Sequence, residues 1–200
     1  NKGAHPPRKA FAENFMAFSM FASKHDDAVL YMHTEESASM GGIDLKLLAH
    51  MCGIDEARIR YCDPYTYRMG LPQNAMAALY TAADVYLAAS MGEGFGIPVV
   101  EAQACGTPVV VSRFTAQPEL CGDGWIADGQ PYWDPAQASW FLTPSVPSIL
   151  NGLEQAYARG RGRSQKAIDF AKQYEADHVY ETYWKPAMKE IAEWCRLSQS

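Results

Sequence analysis

Residues 84–112, DVYLAASMGEGFGIPVVEAQACGTPVVVS, confine the chain to very few folds. Two apolar, β-favouring runs, 84–89 and 108–112, enclose a glycine-rich turn over 90–96 and a short helix over 97–105, with Gly106 as its stop. A strand, a crossover helix and a second strand form the unit from which parallel sheets are built. Much of the chain repeats this alternation. Phe11, Phe15, Phe18 and Phe21 recur at spacings of three and four, which predicts an amphipathic helix over 8–24, with Pro6 and Pro7 as breakers before it. AVLYMH (28–33) and RIRYC (58–62) read as strands. Asp44 reads as the N-cap of LKLLAHMC, which Gly53 stops. Residues 74–83 favour helix, GDGWIADGQPYWDPAQASWF reads as irregular, and helices follow over about 145–159, 163–173 and 177–195. The expectation is an α/β fold: a Rossmann-like, doubly wound parallel sheet with helices on both faces and extra C-terminal helices.

Composition narrows the functional classes. The chain has 200 residues, 48% hydrophobic and 20% charged, enough to bury a core. Its net charge of -6 argues against a general nucleic-acid binder. Cys52, Cys62, Cys105, Cys121 and Cys195 are scattered, with no zinc spacing, so free thiols in a reducing, cytoplasmic compartment are expected. No apolar run of about 18 residues suggests a transmembrane segment. RGRGR (159–163) reads as a linker between helices; its only membrane role would be a peripheral contact at the inner face. The chain opens on Asn1 rather than methionine, as expected of a processed protein or a part of a longer one.

Ligands of open α/β sheets bind beyond the carboxyl ends of the strands, where the turn 90–96 falls. Gly92, Gly94 and Gly96 allow close backbone approach, and their N–H groups with the next helix start favour a phosphate. Pro98 suits that helix's first turn. GEGFGIP is neither a dinucleotide fingerprint nor a P-loop. Glu93 in the turn and Glu101 in the helix are the informative residues. A carboxylate accepts hydrogen bonds from two adjacent hydroxyls, as in a ribose cis-diol. One reading is a sugar nucleotide, with ribose on Glu101, diphosphate at the glycine turn and sugar near Glu93. The other has Glu93 solvated and Glu101 complementing the helix dipole. Spacing alone leaves both open.

ADVYLAASMGEGFGIPVVEAQACGTPVVVS resembles the E-x7-E signature of retaining glycosyltransferases with the GT-B fold, family 4 (group 1). AVLYMHT, GIDL, MAALYTAADV, FTAQPEL and YARGRGRSQKA extend the likeness along the C-terminal, donor-binding half of such enzymes. The resemblance implies that Glu93 contacts the transferred sugar and Glu101 the ribose. It implies that backbone amides of Gly94, Phe95, Gly96 and Ile97 meet the sugar or diphosphate, and that Lys9, with Arg8 as a substitute, pairs with the diphosphate. The family reads RKG where this chain has Ala10. DPYTYRMG (63–70) resembles the loop near the nucleobase, which implicates Tyr67 and Met69.

The implied activity is hexose transfer with retention from a UDP-, GDP- or ADP-sugar to a glycan, lipid or protein acceptor, without metal or other cofactor. Residues 1–200 would form one nucleotide-sugar-binding domain. Its last helix, 175–200, would pack on an N-terminal GT-B domain of the same protein, without which transfer would be weak or absent. Alternatives are a non-catalytic nucleotide-sugar-binding module and a sugar-nucleotide epimerase. His33 reads as structural, and Trp125, Trp133, Trp140 and Tyr132 as pins for an irregular loop.

Overall fold

The computed structural model describes residues 7–36 and 42–197; Pro6 and the stretch preceding it lie outside the described residues. In chain order the elements are α1 (Phe11–Ala22), β1 (Leu30–Met32), α2 (Leu45–Met51), β2 (Ile59–Tyr61), α3 (Pro64–Met69), α4 (Gln73–Ala82), β3 (Tyr86–Ala88), α5 (Ile97–Ala104), β4 (Val109–Ser112), β5 (Gly124–Ala127), β6 (Gly129–Asp134), β7 (Ser139–Pro144), α6 (Val146–Arg159), α7 (Gln165–Ala171), α8 (Ala176–Val179) and α9 (Lys185–Leu197). The strands β1 and β2 pair in parallel, as do β3, β4 and β5 in that order. The expected parallel architecture is present, divided into two short ladders.

Alternation along the central strands makes the sheet doubly wound. Val110, Ala127, Leu87 and Trp125 pack against Phe15 and Phe18 of α1 and Ile149 and Leu153 of α6. Val109, Val111, Tyr86, Ala88 and Ile126 face the other way, onto Val99 and Ala102 of α5 and Tyr80 of α4. Successive side chains of a strand point to opposite faces, so one run of valines serves two cores.

Local chemistry sets most of the boundaries. Asp44 accepts a hydrogen bond from Leu47 N–H at 2.9 Å, and Gly53 leaves the helix with φ 74°, both as the sequence predicts. The first helix is shorter than expected. It starts at Phe11 because Ala10 is left-handed (φ 48°, ψ 43°), which leaves Arg8 and Lys9 in a turn. Residues 63–70 are not the expected loop. Asp63 accepts from Thr66 N–H at 2.8 Å and from its hydroxyl at 2.9 Å, and Pro64 occupies the first turn of α3.

The segment read as irregular forms three strands. Gly124 lets β5 lie tightly on β4, since a Cβ there would fall 2.0 Å from the Val109 carbonyl oxygen. The strands β6 and β7 form an antiparallel hairpin, with Asp134 accepting from Ala136 N–H at 2.9 Å in its turn. The expectation that all three tryptophans pin a loop to the core holds only for Trp125. Trp133 and Trp140 stack edge to face on the hairpin and remain 46% and 58% exposed.

Gly160 and Gly162 take positive φ in the linker before α7, and its arginines fold back on the protein: Arg161 pairs with Asp27 at 3.4 Å and Arg163 donates to the Cys105 carbonyl at 3.0 Å. A π-helical turn, Tyr180–Trp184, joins α8 to α9. All the cysteines are free thiols, as expected. Among the described residues no helix is long and apolar enough to cross a membrane.

Ile149 is fully buried between α6 and the sheet. Ile149→Ala should therefore cost about 2–5 kcal/mol in urea unfolding. A loss under about 1 kcal/mol would mean that α6 does not close this face.

Candidate functional site

Two turns remote in sequence meet at the carboxyl end of β3. The first is Arg8–Ala10, closed by the Ala10 N–H donating to the Pro7 carbonyl at 2.7 Å. The second runs from Ser90 to Gly96. Met91 N–H donates to the Arg8 carbonyl at 2.8 Å and ties the turns together. Asn14, one turn into α1, donates from Nδ2 to the carbonyls of Ala10 and Ala89, each at 2.8 Å. The left-handed Ala10 is the place where the resemblance expects glycine, which takes that conformation without strain.

This stitching brings the expected charges together. Lys9 Nζ lies 2.5 Å from Glu93 Oε1, and Arg8 Nη1 lies 3.2 Å from Oε2 and 3.3 Å from the Gly92 carbonyl. The Glu93 side chain is only 13% exposed, and Ser90 Oγ donates to its Oε1 at 3.1 Å. Its backbone N–H donates to Thr115 Oγ1 at 2.9 Å; Thr115 itself is left-handed, with φ 52°. Two cations against one carboxylate leave the group with an excess of one positive charge, near the opening of α5, the positive end of its dipole.

Gly96, with φ 107°, caps α5, and Ile97 and Pro98 form its first turn. Gly94, Phe95 and Ile97 are exposed. The Phe95 ring packs against Tyr174 at 5.8 Å. Glu101 is exposed on α5, and Tyr80 of α4 donates to its Oε2 at 2.9 Å, leaving Oε1 open among the described residues.

Burial pushes the Tyr86 phenol up to about 12, and the charges of both Glu93 and Glu101 add to the effect. The two carboxylates thus act on one side chain. The Tyr80 phenol is raised too, first by burial, then by Tyr86 and Glu101. Tyr67 and Met69 make none of these contacts with the charged turns. They belong to α3, where Tyr67 meets the His33 ring at 5.7 Å and Met69 is exposed. His33 accepts or donates a hydrogen bond with Tyr31 at 3.2 Å, and burial lowers its pKa.

The residues that sequence reasoning missed are those that hold others: Asn14, Tyr80, Ser90, Thr115 and Gln117. Ser90 and Gln117 lay inside stretches already singled out, SMGEGFG and FTAQPEL, but a serine and a glutamine in a turn carry no signal without their partners.

Residues 66–129 match the family model described as glycosyl transferases group 1. A D-inositol 3-phosphate glycosyltransferase from Corynebacterium kroppenstedtii is 30% identical over 174 residues, covering 84% of this chain and 36% of that protein. The chain spans about a third or less of the length of the curated relatives it matches. Among solved structures, the C-terminal domain of a glycosyl transferase group 1 family protein from Francisella tularensis aligns with a TM-score of 0.54 at 21% identity, covering 88% of this chain and 80% of that one. An α,α-trehalose 6-phosphate synthase from Burkholderia multivorans aligns with a TM-score of 0.65 at 15% identity over 96% of this chain and 42% of that one. These two likenesses concern the fold.

The folded Tyr86 phenol keeps its proton to about pH 12, against 10.0 when unperturbed. Its contribution to stability is whole below pH 10 and is lost as pH rises toward 12. Urea stability should therefore fall across that window, and Tyr86→Phe should flatten the fall. An equally steep decline in the variant would mean that the Tyr86 phenol is not the group whose proton the fold retains.

Proposed function

The chain belongs, through residues 66–129, to the glycosyl transferases group 1, and on that footing we propose that it is the donor-binding part of a retaining hexosyltransferase. The donor is a UDP-, GDP- or ADP-sugar. Glu101 grips the ribose hydroxyls with its open Oε1. Glu93 meets the transferred sugar. Arg8 and Lys9 stabilise the diphosphate, together with the backbone amides of Gly94, Phe95, Gly96 and Ile97. Tyr67 and Met69 lie toward the nucleobase. The observation that carries this reading is the pairing of two cations with Glu93 beside the start of α5. A diphosphate leaving group carries close to two negative charges, and preorganised cations and amides aimed at developing charge are the strongest single aid to such a departure. With those cations present, the reading needs no metal.

Transfer then proceeds by departure of the nucleoside diphosphate as the sugar gains oxocarbenium character; the acceptor hydroxyl attacks the anomeric carbon on the face the diphosphate leaves and passes its proton to the departing phosphate oxygen. Glu93 is not the nucleophile. Lys9, Arg8 and Ser90 all donate to its carboxylate, which suits a fixed acceptor of sugar hydroxyls. A glycan, lipid or protein acceptor is held by an N-terminal domain of the same protein, against which the helix over 176–197 packs. The free thiols fit a reducing, cytoplasmic setting.

Calorimetry with UDP-glucose, GDP-mannose and ADP-glucose tests the reading directly, and heat from none of them would refute it. For the donor that binds, Glu101→Ala should weaken affinity by about 1.5–3 kcal/mol, the range for a hydrogen bond to a charged group, or roughly ten- to hundredfold in Kd. Unchanged affinity would remove Glu101 from the ribose.

A further inference from the structure

Gln117 lies in the segment after β4 and is fully buried, far in sequence from either charged turn. Its amide orientation is dictated by backbone groups. Nε2 lies 2.7 Å from the Ala88 carbonyl, which can only accept. Oε1 lies 2.9 Å from the Ser112 N–H, which can only donate. A flipped amide would set donor against donor and acceptor against acceptor. The second proton on Nε2 then points to Ser90 Oγ at 2.8 Å. A serine hydroxyl has one proton to give. With Ser90 Oγ already accepting from Gln117, that proton goes to Glu93 Oε1 at 3.1 Å.

We propose that Gln117, acting through Ser90, is a positioning residue for Glu93: a one-way chain of hydrogen bonds, ordered by the backbones of β3 and β4, holds Oε1 in place. The inference rests on the reading that Glu93 meets the transferred sugar. Its value there comes from a division of labour. Lys9 and Arg8 are the groups a bound diphosphate would draw away from Glu93. Ser90 is a neutral donor with no stake in the phosphates. It keeps one carboxylate oxygen anchored while the other turns to a sugar hydroxyl. The geometry of the acid is then independent of where the cations sit, and preorganisation of this kind is what a transferring site requires.

The test compares Ser90→Ala and Ser90→Thr in the wild-type chain and in a Glu93→Ala background, by urea unfolding. Ser90→Ala should lower the midpoint in the wild type, and by less than half as much when Glu93 is absent. Ser90→Thr, which keeps the hydroxyl, should stay near its parent in both backgrounds. Gln117→Leu should show the same dependence on Glu93 if it folds; Ser90→Ala decides the matter if it does not. Equal losses in both backgrounds would mean that Ser90 merely packs, and would overturn the relay. A second arm titrates UDP-glucose, GDP-mannose and ADP-glucose beside UDP, GDP and ADP. Ser90→Ala should weaken the sugar nucleotide that binds by about tenfold, the scale of one hydrogen bond to a charged group, and leave its nucleoside diphosphate unchanged. Equal weakening of both would also overturn the relay, since Glu93 is assigned to the sugar alone. Non-additive unfolding with no sugar nucleotide bound by the wild type would leave the relay standing and refute the donor-binding reading instead.

Discussion

A carboxylate largely withdrawn from water in the turn after β3 has to be matched by donors, because the desolvation cost of a lone buried charge exceeds what packing returns. Glu93 is in that position, and much of the site follows from meeting its demand. Lys9 and Arg8 come from a turn more than eighty positions earlier, Ser90 from the start of Glu93's own turn. The cations can reach Glu93 only because the Met91 N–H holds the Arg8 carbonyl and Asn14 clamps Ala10 to Ala89. The turn before α1 and the turn after β3 therefore behave as one piece. A left-handed alanine is tolerated in that piece, a local strain held by its surroundings.

The sheet supplies the platform. Alternate residues of β3, β4 and β5 face two separate cores, so the strands are fixed from both sides and their carboxyl ends are held at one edge. Loops rising from that edge carry Glu93, Thr115 and Gln117, while α5 carries Glu101 back along the sheet. The hairpin of β6 and β7 borders the same edge. Its Leu142 N–H donates to the Met91 carbonyl at 3.0 Å, and a Cβ on Gly92 would lie 3.6 Å from the Phe141 ring. The base of the glycine turn is thus held on one side by the turn before α1 and on the other by the hairpin.

Several features were legible in the residues alone. The phenylalanine spacing of α1, the Asp44 cap, the Gly53 and Gly106 stops and the valine run of β4 are local signals, each decided by neighbours within a few positions. The helix-opening signal Asp63-Pro64 is equally local, whereas β6 and β7 carry no period-two alternation and are strands because they pair with each other. The strand β5 was different in kind: GWIA is short, and it is a strand because Gly124 admits the close approach of Val109. The tryptophans show the same divide, since composition could not tell the buried Trp125 from the exposed Trp133 and Trp140.

The sequence by itself determined the parallel α/β architecture and the two glutamates worth watching, because periodicity and turn chemistry act over a few residues. Tertiary structure alone decided that Glu93 would be matched by Lys9, Arg8 and Ser90, that Tyr80 would hold Glu101, and that Gln117 would stand behind Ser90. Those partners are separated by up to 85 positions, as Arg8 is from Glu93. A hydrogen bond's direction depends on which donor and acceptor meet in space, and no spacing along the chain records that.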